Sequence, residues 1–206
     1  MARRRRVTRP IGQRRYRKLY VIVTEGDKTE PIYFGQFDGG DPADYHLHLV
    51  RAGTKSAPKH LLRRAQRYVS EQRLQQRDEV WIICDTDQWT EEALLDLVAE
   101  CRDSGYNLAV SNPCFEYWLL LHSEDAKPAN SARDCVQWLR RYLPAFDKSR
   151  YDPARLADGI PDAVERARRR DTPPCDGWPR TSGSTGYRLV EKLVGSRRGE
   201  HGSKES

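Results

Sequence analysis

The chain has 206 residues and carries 36 Lys and Arg against 30 Asp and Glu, a formal net charge of +6. Residues 1–18 hold nine of the basic side chains and no acidic one, which leaves 27 basic against 30 acidic groups for the rest, a slightly acidic globule behind a basic arm. No apolar run approaches the roughly 20 residues of a membrane helix, no apolar core follows the basic N-terminus as in a secretory signal, and five widely spaced cysteines without a CxxC pair argue against a disulfide scaffold or a structural zinc site. A cytoplasmic protein of one domain with an appendage is the expectation.

Residues 1–17 offer almost nothing to bury and read as a disordered or loosely docked arm. Lys18–Thr24 (KLYVIVT) is β-branched and aromatic, as a buried strand requires. Thr29–Phe37 reads as a short helix with Thr29 as its N-cap and Pro31 in its first turn. Tyr45–Arg51 reads as a second strand. Ala57–Gln76 reads as a helix with arginines (Arg63, Arg64, Arg67) on a solvated face. Glu79–Cys84 (EVWIIC) is the third strand, Thr90–Ser104 a helix stopped by Gly105, and Asn107–Ser111 the fourth strand. Pro113 opens an apolar helix. Beyond residue 123 the expectation is helices over Asn130–Tyr142, Asp162–Arg170 and Thr185–Val194, with a Pro/Gly/Ser-rich loop over Asp171–Ser184 and a frayed tail.

Alternation of strand and helix at this spacing predicts an α/β fold: a central parallel sheet of about four strands flanked by helices, with a C-terminal helical extension. The expected division is an arm over 1–17, an α/β domain over 18–125 and the extension over 126–206. In open sheets of this kind the functional crevice lies beyond the carboxyl ends of the strands. Glu25 follows the first strand and Asp85 and Asp87 follow the third. Residues two apart on an extended segment point the same way, so the two aspartates can converge, and Glu25 joins them if the strands are neighbours. Oxygen-only ligands suit a hard cation, Mg²⁺ first and Mn²⁺ as a substitute. The ordinary role of an acid in such a place is helix capping, and a DxD pair alone is a weak signal; an EGD and a DTD at matching strand ends are more specific together.

These blocks, VTEGDKTEPIYF, VWIICDTD and AVSNPCFEYWLLLH, resemble the RloB-like family, whose members contain a Toprim-like (topoisomerase–primase) domain. The resemblance is strong over residues 18–125 and weaker near 183–193. It implies that Glu25 does acid/base work or bridges metal, and that Asp85 and Asp87 hold Mg²⁺. It also implies a nuclease associated with bacterial restriction and phage-defence loci, acting beside an ABC- or AAA-type ATPase.

On the same rim, Lys28, Asn112 and Glu116 are substrate-binding candidates, with Lys55 a weaker one. Each also has a plainer reading, as a solvated charge, a loop amide or a helix-terminal acid. Cys114 reads as a small buried hydrophobe and not as a nucleophile. His122 reads as a helix-end residue. No tyrosine is flagged by its surroundings, so hydrolysis fits better than strand passage. The arm residues Arg3, Arg4, Arg5, Arg6, Arg14, Arg15 and Arg17 suit a phosphate backbone, and nucleic acid, DNA or RNA, is the expected partner. Two alternatives stay open: a regulatory module that binds nucleic acid or a partner without cleaving, and a Mg²⁺ enzyme acting on a small nucleotide.

Overall fold

The computed structural model describes residues 17–38, 45–51 and 58–198. Five strands, β1 (Lys18–Thr24), β2 (Tyr45–Val50), β3 (Glu79–Asp85), β4 (Asn107–Asn112) and β5 (Gly183–Ser184), form one sheet in the order β2-β1-β3-β4-β5. The first four are mutually parallel, and β5 runs antiparallel to β4. This is an α/β, Rossmann-like architecture with helices on both faces.

Burial on both faces explains the unbroken apolar strands. Tyr20 and Ile22 of β1, Trp81 and Ile83 of β3 and Ala109 of β4 enter one core, while Val21, Val23, Val80, Ile82, Cys84 and Val110 enter the other. The two-residue period of a strand sorts them, and each fully buried aliphatic contributes about 1.5–3 kcal/mol. Helices α2 (Pro58–Glu71) and α3 (Glu91–Ser104) cover the second face through Leu61, Leu62, Leu94 and Leu97. The first face is covered by α1 (Thr29–Gly35), α4 (Phe115–Leu120), α5 (Ala132–Leu139), α6 (Ile160–Arg170) and α7 (Tyr187–Arg198). Leu139, Leu143, Phe146, Ala163 and Leu189 share the core that holds Tyr20 and Ile22, so the segment after residue 125 builds the same interior.

Local chemistry sets the helix ends. Thr90 caps α3 by accepting from Ala93 N–H, and Gly105 closes it in the left-handed conformation at φ 69°. Ser131 caps α5 by accepting from Asp134 N–H.

Several expectations are corrected. Thr29 does not cap α1: Lys28 occupies the cap position, and the Thr29 hydroxyl donates instead to Lys148 O at 3.2 Å. The second helix stops at Glu71, five residues short of the expected end, because Asp78 gathers the following turn by accepting from Gln75 N–H and, with its other oxygen, from Leu19 N–H. The helix after Pro113 begins at Phe115, since Cys114 is extended and Pro113 O accepts from Thr86 and Asp87 N–H. The loop read over Asp171–Ser184 ends in a strand. Thr185 extends that pairing, its N–H donating to Val110 O and its hydroxyl accepting from Val110 N–H, both at 2.9 Å.

All five cysteines are free, and among the described residues no helix is long and apolar enough to cross a membrane. The basic arm apart from Arg17, which is exposed, lies outside the described residues, as does Lys55.

Candidate metal centre

β1 and β3 are neighbours, and their carboxyl ends bring Glu25 to Asp85: the Asp85 N–H donates to Glu25 Oε2 at 3.0 Å. The same oxygen accepts from the Trp89 indole N–H at 3.1 Å. Both donors use Oε2, which leaves Oε1 for the cavity. That cavity, of about 310 Å³, is lined by acidic Glu25, Asp27, Glu30, Asp85 and Glu116, with Lys28 and Lys148 as its basic members.

Glu30 comes from the first turn of α1 and is buried. Its Oε1 accepts from Gly26 N–H at 3.1 Å. A β-carbon on Gly26 would lie 2.4 Å from Glu30 Oε2, so the glycine makes room for this carboxylate. Glu116, on α4, is 2% exposed; its Oε1 lies 3.0 Å from Lys148 Nζ. The buried atoms Glu116 Oε2 and Asp85 Oδ1 have no hydrogen-bond partner. Unpartnered buried carboxylate oxygens are costly and rare.

The electrostatics follow from this crowding. Burial and then the fields of Glu30, Glu116, Glu25 and Asp87 hold the Asp85 carboxyl well above the usual carboxylate range. Burial raises Glu25 against the two hydrogen bonds it accepts. Burial, resisted by the backbone donors and reinforced by Glu116 and Glu25, pushes Glu30 up to about 7. Burial works against the charge on Lys148, but Glu116 outweighs it and holds the ammonium above its ordinary pKa.

The residues singled out from sequence divide accordingly. Glu25, Asp85, Lys28 and Glu116 line the cavity. Asp87 does not line it; it is exposed, and its charge acts on Glu25 and Asp85 through space. Asn112 is turned away: its amide donates to Pro179 O at 2.8 Å, which fastens the end of β4 to the Pro-rich loop. Ser111, the strand residue before Asn112, meets the Ser184 hydroxyl at 2.9 Å. Arg64 is half-buried, not on a solvated face, and its Nη2 donates to Thr24 O at 3.4 Å.

Cys114 is buried, and its hydrogen bond with Cys135, then burial, raises the thiol far from thiolate formation. His122 is buried too, not a cation at a helix end. Trp118 O can only accept, so Nδ1 carries the proton and donates to it at 3.0 Å, and Nε2 accepts from the Tyr33 hydroxyl at 2.9 Å. Burial lowers its pKa to about 4.

The pattern missed Glu30, Trp89 and Lys148. Glu30 lies five residues after Glu25 in the same EGDKTE block and was legible as a third acid there. Trp89 lies two residues beyond the DTD. Nothing around Lys148 marks it in the sequence.

The donor set, oxygen only with two oxygens left unpartnered, fits a hard divalent cation. Among the described residues no group of three or more His, Cys, Asp and Glu stands ready to hold a metal ion, so the acids would have to draw together around one.

Neither the curated proteins nor the solved structures contain a match to this chain. The family described as RloB-like protein matches residues 20–193, across the sheet and both helical layers. The chain belongs to the RloB-like family.

Proposed function

We propose that this protein is a Mg²⁺-dependent, phosphodiester-cleaving nuclease of Toprim type. The observation that carries the reading is the pair of buried, unpartnered oxygens, Asp85 Oδ1 and Glu116 Oε2, at a cavity crowded with acids at the strand ends. Such an arrangement is unfavourable on its own and becomes favourable once a divalent cation supplies the missing charge. Glu25 and Asp85 would hold the ion, with Glu116 beside them; Asp87, which faces solvent, would join only by turning inward. Bound there, Mg²⁺ supplies Lewis-acid polarisation of a phosphoryl oxygen.

The chain's own groups supply the rest. Trp89 and the Asp85 N–H fix one oxygen of Glu25, so its other oxygen is aimed and available to take or return a proton. Lys28, exposed at the cavity mouth, suits a phosphate oxygen. The basic arm, with Arg17 at its end, suits the flanking backbone. A role as a cytoplasmic anti-phage effector beside an ABC- or AAA-type ATPase rests on the family resemblance.

The test is cleavage of tRNA, single-stranded DNA and duplex DNA with Mg²⁺ or Mn²⁺ against EDTA. Wild type is expected to cleave at least one of them in metal alone. Glu25→Gln and Asp85→Asn are expected to lower the rate by at least 100-fold while binding persists. Binding without cleavage in every metal, with variants indistinguishable from wild type, would leave a binding module instead.

A further inference from the structure

We infer that Lys148 is a phosphate-contacting residue of this site, held in place by Glu116; the inference rests on the nucleic-acid-cleaving reading of the cavity. A phosphodiester brings negative charge to a chamber already lined by carboxylates, and a divalent cation at their floor leaves the phosphate's outer oxygens unanswered. A cation at the mouth is therefore required, and Lys148 is built as one. Its side chain is 55% exposed while its partner Glu116 is 2% exposed, so a buried carboxylate grips the ammonium from below and leaves its outer side open. An ammonium has three donors, and Glu116 Oε1 at 3.0 Å takes one.

The backbone beneath it is fixed from two directions. Lys148 O accepts from the Thr29 hydroxyl at 3.2 Å, and Tyr151 donates to Thr29 O at 2.9 Å. Asp147 accepts from Ser149 N–H at 2.8 Å and closes the turn. The loop that carries Lys148 is thus clamped to the first residue of α1, beside the Glu25–Glu30 segment. An ordinary surface ion pair joins two exposed side chains and needs no such support. Here one partner is buried in the cavity, and the field of Asp85 also reaches the ammonium. Lys28, the cavity's other basic residue, is by contrast an exposed, untethered charge in the turn after the buried Glu25.

The experiment uses the full chain with fluorescein-labelled single-stranded 20-mers of DNA and RNA. Ca²⁺ replaces Mg²⁺ so that binding is read apart from cleavage, and dissociation constants are measured across a salt series. For whichever oligonucleotide wild type binds, Lys148→Ala and Lys148→Met are expected to weaken binding several-fold and to reduce the salt slope by about one, while Lys148→Arg keeps it. The Mn²⁺-induced rise in thermal midpoint is expected to survive in all three variants, which also shows that they fold. An unchanged salt slope in Lys148→Ala and Lys148→Met overturns the assignment. So does loss of the Mn²⁺ response, because Lys148 would then act through the cation site. Wild type that binds neither oligonucleotide overturns it as well. Wild type that binds but cleaves in no divalent metal overturns the nuclease reading alone, and the salt slopes still decide Lys148.

Discussion

Strand β3 begins and ends on an acid, and the two are treated in opposite ways. Glu79, at its start, accepts from Lys18 Nζ at 2.5 Å, from Lys192 Nζ at 2.9 Å and from the Trp81 indole at 2.9 Å. Burial opposes its charge, but these three donors outweigh it and hold its pKa below the ordinary value. Asp85, six residues along the same strand, has a buried oxygen with no partner and a pKa driven up by burial and by other acids. One chain thus satisfies a partly buried carboxylate fully at the amino end of its sheet and leaves one unsatisfied at the carboxyl end. The first arrangement stabilises the fold. The second costs stability, and a fold keeps such a cost where a ligand offsets it.

Substitution at the two ends is expected to move stability in opposite directions. At pH 7.5 and without metal, Asp85→Asn should stabilise the protein by about 1–3 kcal/mol, because it removes, without changing shape, a carboxyl whose ionisation burial and the neighbouring acids oppose. Glu79→Gln should destabilise it by about 1–2 kcal/mol, a value reduced from that of a buried pair because Lys192 is partly exposed. Thermal or urea unfolding reads both. Mn²⁺ should then raise the wild-type midpoint and leave Asp85→Asn nearly unmoved, which reverses their order. Destabilisation by both substitutions in the absence of metal would break the comparison.

The next effect is in pH. Glu30 has its folded pKa raised from 4.5 to about 7. The folded state therefore holds a proton that the unfolded state has released. Its contribution is fully present below pH 4.5 and is lost as pH rises through 7. Glu79, with a lowered folded pKa, does the reverse and loses its contribution as the medium is acidified. His122, neutral down to about pH 4, also favours the folded state toward higher pH, so the wild-type curve alone mixes opposing slopes. The difference between Glu30→Gln and wild type isolates the cavity. It should grow in favour of the variant between pH 4.5 and 7 and then level off, and a flat difference would refute the assignment.

The smallest expected effect belongs to Trp89→Phe. It removes one hydrogen bond from Glu25 Oε2 and keeps most of the ring, so stability should fall by about 0.5–1.5 kcal/mol. If Trp89 aims Glu25, kcat should fall more than KM rises.

The two ends of β3 also show what was legible in the sequence. The strands stood out because burial on both faces makes them apolar throughout, and Glu25 and Asp85 stood out because they interrupt that pattern at matching ends. Asp87 shared the same motif and yet faces solvent, since the chain after Asp85 turns to donate its Thr86 and Asp87 N–H groups to Pro113 O. Asn112 has the right residue type on the right rim, but its partner is the Pro179 carbonyl of a distant loop, which no local pattern encodes. β5 is two residues long, too short for any periodicity. Lys148 reaches the cavity only through a loop pinned by contacts remote in sequence.

That pinning has a consequence for synthesis. A nascent chain displays Glu25, Glu30, Asp85 and Glu116 before Lys148 has been made, and the edge of β4 stays open until Ser184 and Thr185 have left the ribosome. Every carboxylate of the chamber is translated before the lysine that partners Glu116, so a chain interrupted between Glu116 and Lys148 carries the carboxylates without that lysine.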